Sequence, residues 1–143
     1  VDVELPEKRF AFDMRKGALG QVDKISYPAI KMGYPELIAT YPFDPGQPDV
    51  KTSASSVESG QTVTFDLSMS GVPKGDKTVF SYETKLMNPD GQWVDCIPWS
   101  AQGPNGDAKT HVKFAFNDKP GVWTLTVREV TTGRKTKVEI TKK

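Results

Sequence analysis

The sequence predicts an all-β fold: an immunoglobulin-like antiparallel β-sandwich of about seven strands behind an N-terminal β-hairpin and third strand. Three observations predict it. Apolar residues recur with a period of two in segment after segment, as in strands with one face in a core. Eleven prolines and twelve glycines are spread so evenly that few windows could hold three helical turns. Turn residues separate the alternating runs at the spacing of a sandwich.

The elements follow in order. "KRFAFDMRKGALGQVDKISYPAI" reads as a hairpin turning at Lys16-Gly17, and "ELIATYPF" as a third strand. Three short strands form too small a core to stand alone, so residues 1–46 are expected to pack on a neighbouring domain: the sandwich, a preceding domain, or both. Tyr27, Tyr34 and Tyr41 flank prolines and are expected to dock this piece. "YPFDPGQPD" carries three prolines at a spacing of three, a stiff connector that places a boundary before the sandwich of residues 47–143.

The sandwich opens with a strand near Val50 to Ala54. Next, Val63, Phe65, Leu67 and Met69 point inward while Thr62, Thr64, Asp66 and Ser68 point out. Phe80, Tyr82, Thr84 and Leu86 form the second inward row, which ends in the hairpin turn "NPDG". Trp93 to Trp99 reads as one return strand, followed by the polar loop "SAQGPNGDAK". Val112, Phe114 and Phe116 supply the next row, then Trp123, Leu125 and Val127, and a last strand carries Val138 and Ile140. Trp123, Phe65, Phe80, Phe114 and Phe116 are expected in the core.

Composition narrows the function classes. The chain has 143 residues with 19 Lys and Arg against 18 Asp and Glu, a net charge of +1. No strong field exists to gather nucleic acid or an anionic membrane. No run approaches the ~18 apolar residues of a membrane span. The single cysteine, Cys96, excludes an internal disulfide. The start at Val1, without a charged and apolar leader, suggests a mature chain or a piece of a longer one.

Motifs that carry chemistry are scarce. His111, the one histidine, is expected on the outward row of its strand, and nothing in the spacing pairs it with Cys96 as a nucleophile and base. One His and one Cys do not build a zinc site of the usual type. The carboxylates fall in turns such as "NPDG", "PNGD" and "FNDKPG" or on outward positions, where they stabilise turns and solubility. A calcium ion in one of these loops is an alternative, although none has the twelve-residue loop pattern. No cofactor is expected. Trp93 and Trp99 share a face of one strand, with Asp95 and Ile97 between them. Exposed, they would stack on sugar rings; buried, one would pack across the sheet. The core is favoured for Trp93, while Trp99 stays balanced between the two.

Asp13, Arg15, Gly17, Leu19, Gly20, Asp23 and Tyr41-Pro42 form an Asp-x-Arg-x-Gly hairpin, a Leu-Gly, an Asp and a short strand closing on Tyr-Pro. This arrangement resembles the segment after the catalytic regions of bacterial β-galactosidase-like glycoside hydrolases. "NPDGQW" and "FAFNDKPGVWTLTVREVTTG" are similar to the immunoglobulin-like module that follows it, and to macroglobulin-type sandwiches of extracellular proteins. "CIPWSAQGPNGD" departs from the pattern, being longer and more aromatic than a minimal hairpin arm. The resemblance implies a non-catalytic C-terminal accessory domain, structural or spacing, of a secreted hydrolase whose catalytic carboxylates lie in a preceding barrel. Its partner would be that catalytic domain, at an extracellular, periplasmic or cell-surface location. The alternative is an independent module binding carbohydrate or a surface protein through Trp99, Trp93 and the "SAQGPNGDAK" loop.

Overall fold

A computed structural model describes residues 1–29, 33, 35–94, 100–104 and 106–143. Its first sheet has the order β2-β1-β3, made from β1 (Asp2–Asp13), β2 (Gly17–Ser26) and β3 (Ile38–Tyr41). The hairpin closes where expected: Asp13 pairs with Gly17, whose φ of 96° is the left-handed backbone that the turn requires. Register shifts between Glu4 and Arg9 and between Ala11 and Phe12 bend the ribbon strongly. A straight ten-residue strand would span about 33 Å. Here Tyr27, just past the end of β2, reaches back to place its hydroxyl 3.0 Å from Asp13 Oδ2 beside the turn.

The rest is a two-sheet sandwich. One sheet has the order β10-β6-β4, from β4 (Pro48–Thr52), β6 (Thr62–Met69) and β10 (Ala108–Lys113). The other has the order β5-β12-β11-β7-β8, from β5 (Ser56–Val57), β7 (Val79–Met87), β8 (Trp93–Val94), β11 (Gly121–Glu129) and β12 (Lys135–Lys142). In addition, β9 (Ser100–Pro104) pairs with the other end of β7. All sandwich pairings are antiparallel except β5 with β12. In immunoglobulin lettering this is A-B-E against A′-G-F-C, with β8 and β9 on the outer edge of C. The fold is therefore an immunoglobulin-like all-β sandwich.

Its core is made of the predicted rows. Val63, Phe65, Leu67 and Met69 face Phe80, Tyr82 and Leu86, with Trp123, Leu125, Val127 and Ile140 completing the layer. Phe114 meets Trp123 edge-on, with ring centroids 5.4 Å apart. The Trp123 indole donates to Lys119 O at 2.9 Å, which satisfies its buried N–H.

Two expectations fail on local register. The return arm after β7 is not one strand of constant parity. Met87 pairs with Trp93 but Glu83 pairs with Ser100, so four steps along β7 match seven along the return arm. An odd excess of three residues exchanges the faces. Trp93 thus lies on the outward side with Met87 and is 52% exposed, rather than in the core. Cys96 and Trp99 lie outside the described residues. Phe116 is the second correction. Phe114 is the last inward residue of its row; then Asp118 accepts from Ala115 N at 2.6 Å and closes a turn. That turn carries Phe116 out to 84% exposure.

Candidate functional site

The chemistry-bearing side chains form two clusters, one around Asp13 within the first sheet and one around Tyr41, Glu129 and Arg134 where that sheet meets the sandwich. Asp13 ends β1 and is almost completely buried. Its Oδ1 accepts from the backbone N–H of Arg15 at 2.9 Å and of Lys16 at 3.0 Å. Its Oδ2 accepts from the Tyr27 hydroxyl and lies 3.4 Å from Lys16 Nζ. Burial alone would raise the carboxyl, but these donors and the Lys16 charge more than reverse it and hold Asp13 at about 2. Burial, with the hydrogen bond to Asp13 and its charge, pushes Tyr27 up to about 12.

A carboxylate so placed is ionised at any ordinary pH and is held by three hydrogen bonds and the Lys16 charge. It is neither a proton donor nor a free base. Lys16 also approaches Glu36 Oε2 at 3.5 Å and sits 4.7 Å over the Tyr27 ring. Leu19, Val22, Ile25 and Tyr27 line a shallow cavity of about 320 Å³ inside the curl. Tyr27 therefore closes the hairpin on itself rather than docking it, and Tyr34 lies outside the described residues.

Docking falls to Tyr41, as expected for that residue. It stacks on Phe80 at 5.5 Å and meets Phe12 edge-on at 5.9 Å, which brings the first sheet into the sandwich core. Its hydroxyl is 2.6 Å from Thr131 Oγ1. Thr131 Oγ1 is also 2.9 Å from both oxygens of Glu129, which is fully buried. A hydroxyl has one proton, and the carboxylate can only accept. Thr131 thus donates to Glu129 and Tyr41 donates to Thr131. The backbone N–H of Thr131 and of Thr132 complete the shell of Glu129 at 3.1 and 2.6 Å. Burial raises the Tyr41 phenol, the Thr131 bond opposes this, and the Glu129 charge adds to the rise.

Arg134 is the second fastener. Its guanidinium pairs with Asp44, donates to Gly46 O at 2.7 Å and lies 5.2 Å from the Phe12 ring. That pairing, then the Gly46 N–H, holds the Asp44 carboxyl below its usual range against the effect of burial. The proline-rich connector is also laced to the sandwich through Gly71 N to Pro45 O and Gln47 N to Ser70 Oγ, both 2.9 Å. A Cβ at Gly71 would overlap the Asp44 carbonyl, so only glycine admits this approach. The connector is a clamp, not a free spacer.

Sequence reasoning missed Glu129, Thr131 and Arg134. One signal was available: Glu129 continues the inward parity of Trp123, Leu125 and Val127, so a carboxylate was due in the core. His111 lies outward on β10 opposite Thr64, exposed as expected. Among the described residues, no three His, Cys, Asp or Glu side chains gather as a metal ion would require. Among the described residues, no helix is long and apolar enough to cross a membrane.

No protein-family model and no curated protein matches the sequence. Among solved structures, the chain is similar to the Lin-41 filamin domain, with TM-score 0.47 and 14% identity over 70% of this chain and 95% of that one. It is similar to domains 4 and 5 of the S-layer protein SbsC, with TM-score 0.46 and 16% identity over 78% of this chain and 61% of that one. It is also similar to a β-glucosidase from Listeria innocua, with TM-score 0.43 and 11% identity over 82% of this chain and 19% of the enzyme. The fold assignment rests on the chain's own strand order.

Proposed function

We propose that the chain is a non-catalytic accessory domain of a larger secreted glycoside hydrolase, holding or spacing its catalytic domain. The observation that carries this reading is apolar surface left uncovered on the first sheet. Tyr41, Phe12 and Arg134 fasten the sheet to the sandwich, yet Val1 and Val3 at one end and Leu19 and Leu37 at the other stay between 38% and 63% exposed. A fastened sheet with apolar side chains left in water fits a part built to be covered by a neighbouring domain. The Asp13 motif supports the same reading: buried and bound by three donors within its own hairpin, it serves as a lock. The location that goes with this role is extracellular, periplasmic or at the cell surface.

Determining the coding sequence upstream of Val1 tests the proposal. A barrel domain with paired carboxylates is the expected result, and a surface-attachment segment in its place overturns it. Deuterium exchange provides a second test. Residues 1–26 should gain protection in the longer protein relative to the isolated chain; equal exchange in both would remove the docking role.

A further inference from the structure

The outer face of the β12-β11-β7-β8 sheet is a row-by-row platform that the accessory role does not use. Pairing registers place Trp93, Met87, Thr124 and the exposed Glu139 in one cross-strand row, and Lys85, Thr126 and Lys137 in the next, so the acidic side chain stands at the β12 edge, away from Trp93. Strand spacing puts Lys85 and Lys137 about 10 Å apart across Thr126. Lys85 Nζ lies 4.4 Å over the Trp93 ring and braces it, yet the indole remains 52% exposed. In the third row Arg128 is neutralised by Glu83 at 3.4 Å. Among the described residues, no ion pair engages Lys85 or Lys137.

We propose that this face binds an acidic polysaccharide, one bearing carboxylate or sulfate groups. The exposed indole offers flat apolar area for the C–H face of a pyranose. Thr124 and Thr126 offer hydroxyls that donate and accept, and the ammonium groups of Lys85 and Lys137, outside any ion pair among the described residues, flank Thr126 for the anionic substituents. The chemistry fits other occupants less well. A protein partner needs a broad apolar centre, and Trp93, Met87 and Val122 form only a small one here, with Val79 at the far end of β7. A nucleic acid needs a sustained positive groove, and the chain carries a net charge of +1.

The test is affinity electrophoresis and calorimetry of the full chain against four polymers: polygalacturonate, its methyl-esterified form, dextran sulfate and oligo-dT. Saturable binding to at least one acidic polysaccharide, weakened by salt and absent for the esterified polymer, is expected. Trp93→Ala should weaken it about tenfold, and Lys85→Gln or Lys137→Gln about threefold to tenfold each. Lys109→Gln, on the opposite sheet, should change nothing. All four positions are solvent-facing, so unchanged melting shows that the variants are folded. Polygalacturonate binding alone identifies a uronate ligand, and dextran sulfate binding alone a sulfated one. Failure of both polymers, equal binding of oligo-dT, or an equal loss in Lys109→Gln overturns the proposal. So does binding that survives Trp93→Ala.

Discussion

The sandwich and the sheet before it stay folded by different means. In the sandwich, Phe65, Leu67, Phe80, Leu86, Phe114, Leu125 and Ile140 are all nearly or fully buried, and packing dominates. In the first sheet the buried apolar set of the hairpin is only Ala11, Phe12 and Ile25. Directed bonds make up the deficit: three donors and the Lys16 charge on Asp13, the Tyr41–Thr131–Glu129 chain, and Arg134 on Asp44. The difference teaches where each region is vulnerable. Apolar packing responds to lost volume and ignores pH, whereas a small sheet closed around carboxylates responds to single atoms and to protons.

The largest effect should come from volume. Trp123→Ala removes the ring that meets Phe114 and should cost about 3–5 kcal/mol, read as a fall in the urea midpoint. An unchanged midpoint would mean that packing does not dominate the sandwich.

Next comes removal of the first sheet. A chain shortened to residues 48–143 should still melt cooperatively, but lower than the full chain by about 2–3 kcal/mol, because Phe80 loses its partner Tyr41. If it fails to fold, the sandwich cannot hold its core without Phe12 and Tyr41, and the contrast drawn above collapses. Tyr41→Phe sharpens the point, since it keeps the ring and deletes only the donor. About 1–2 kcal/mol should be lost, with amide exchange rising in β1 and β3 before it rises in the sandwich.

Proton dependence separates the regions more finely. The Asp13 carboxyl is held at about 2, below its ordinary 3.8, so the folded state binds this proton more weakly than the unfolded state. Its contribution is complete above about pH 4 and is lost as pH falls toward about 2. At the alkaline end Tyr27, raised from 10.0 to about 12, contributes below pH 10 and loses that contribution as pH rises through about 12. Amide shifts of Arg15 and Lys16 followed by NMR should report the acid step, and Asp13→Asn should abolish it. A sandwich signal moving in parallel would show that the regions do not respond separately.

The smallest effect belongs to Trp93. Although a tryptophan, it lies outside the core, and Trp93→Ala should cost only about 0.5–1 kcal/mol, the scale of its contact with Lys85. A loss near that of Trp123→Ala would return it to the core.

The sequence by itself determined the strand rows, the turn at Gly17, the third strand and the inward face of Trp123, because side-chain alternation and turn chemistry are local properties. It could not determine the face of Trp93, which depends on how many residues of the return arm are matched to β7. Nor could it determine that Phe116 leaves the core, since an Asp118 side chain ends the row. The fastening of Tyr41, Glu129, Thr131 and Arg134 joins residues up to ninety positions apart. Periodicity reports which side of a strand a residue takes; it says nothing of what lies opposite. Only the closing of the first sheet on the sandwich brought a phenol, a hydroxyl and a buried carboxylate into line, with hydrogen bonding so deep in the protein requiring every donor to meet its acceptor.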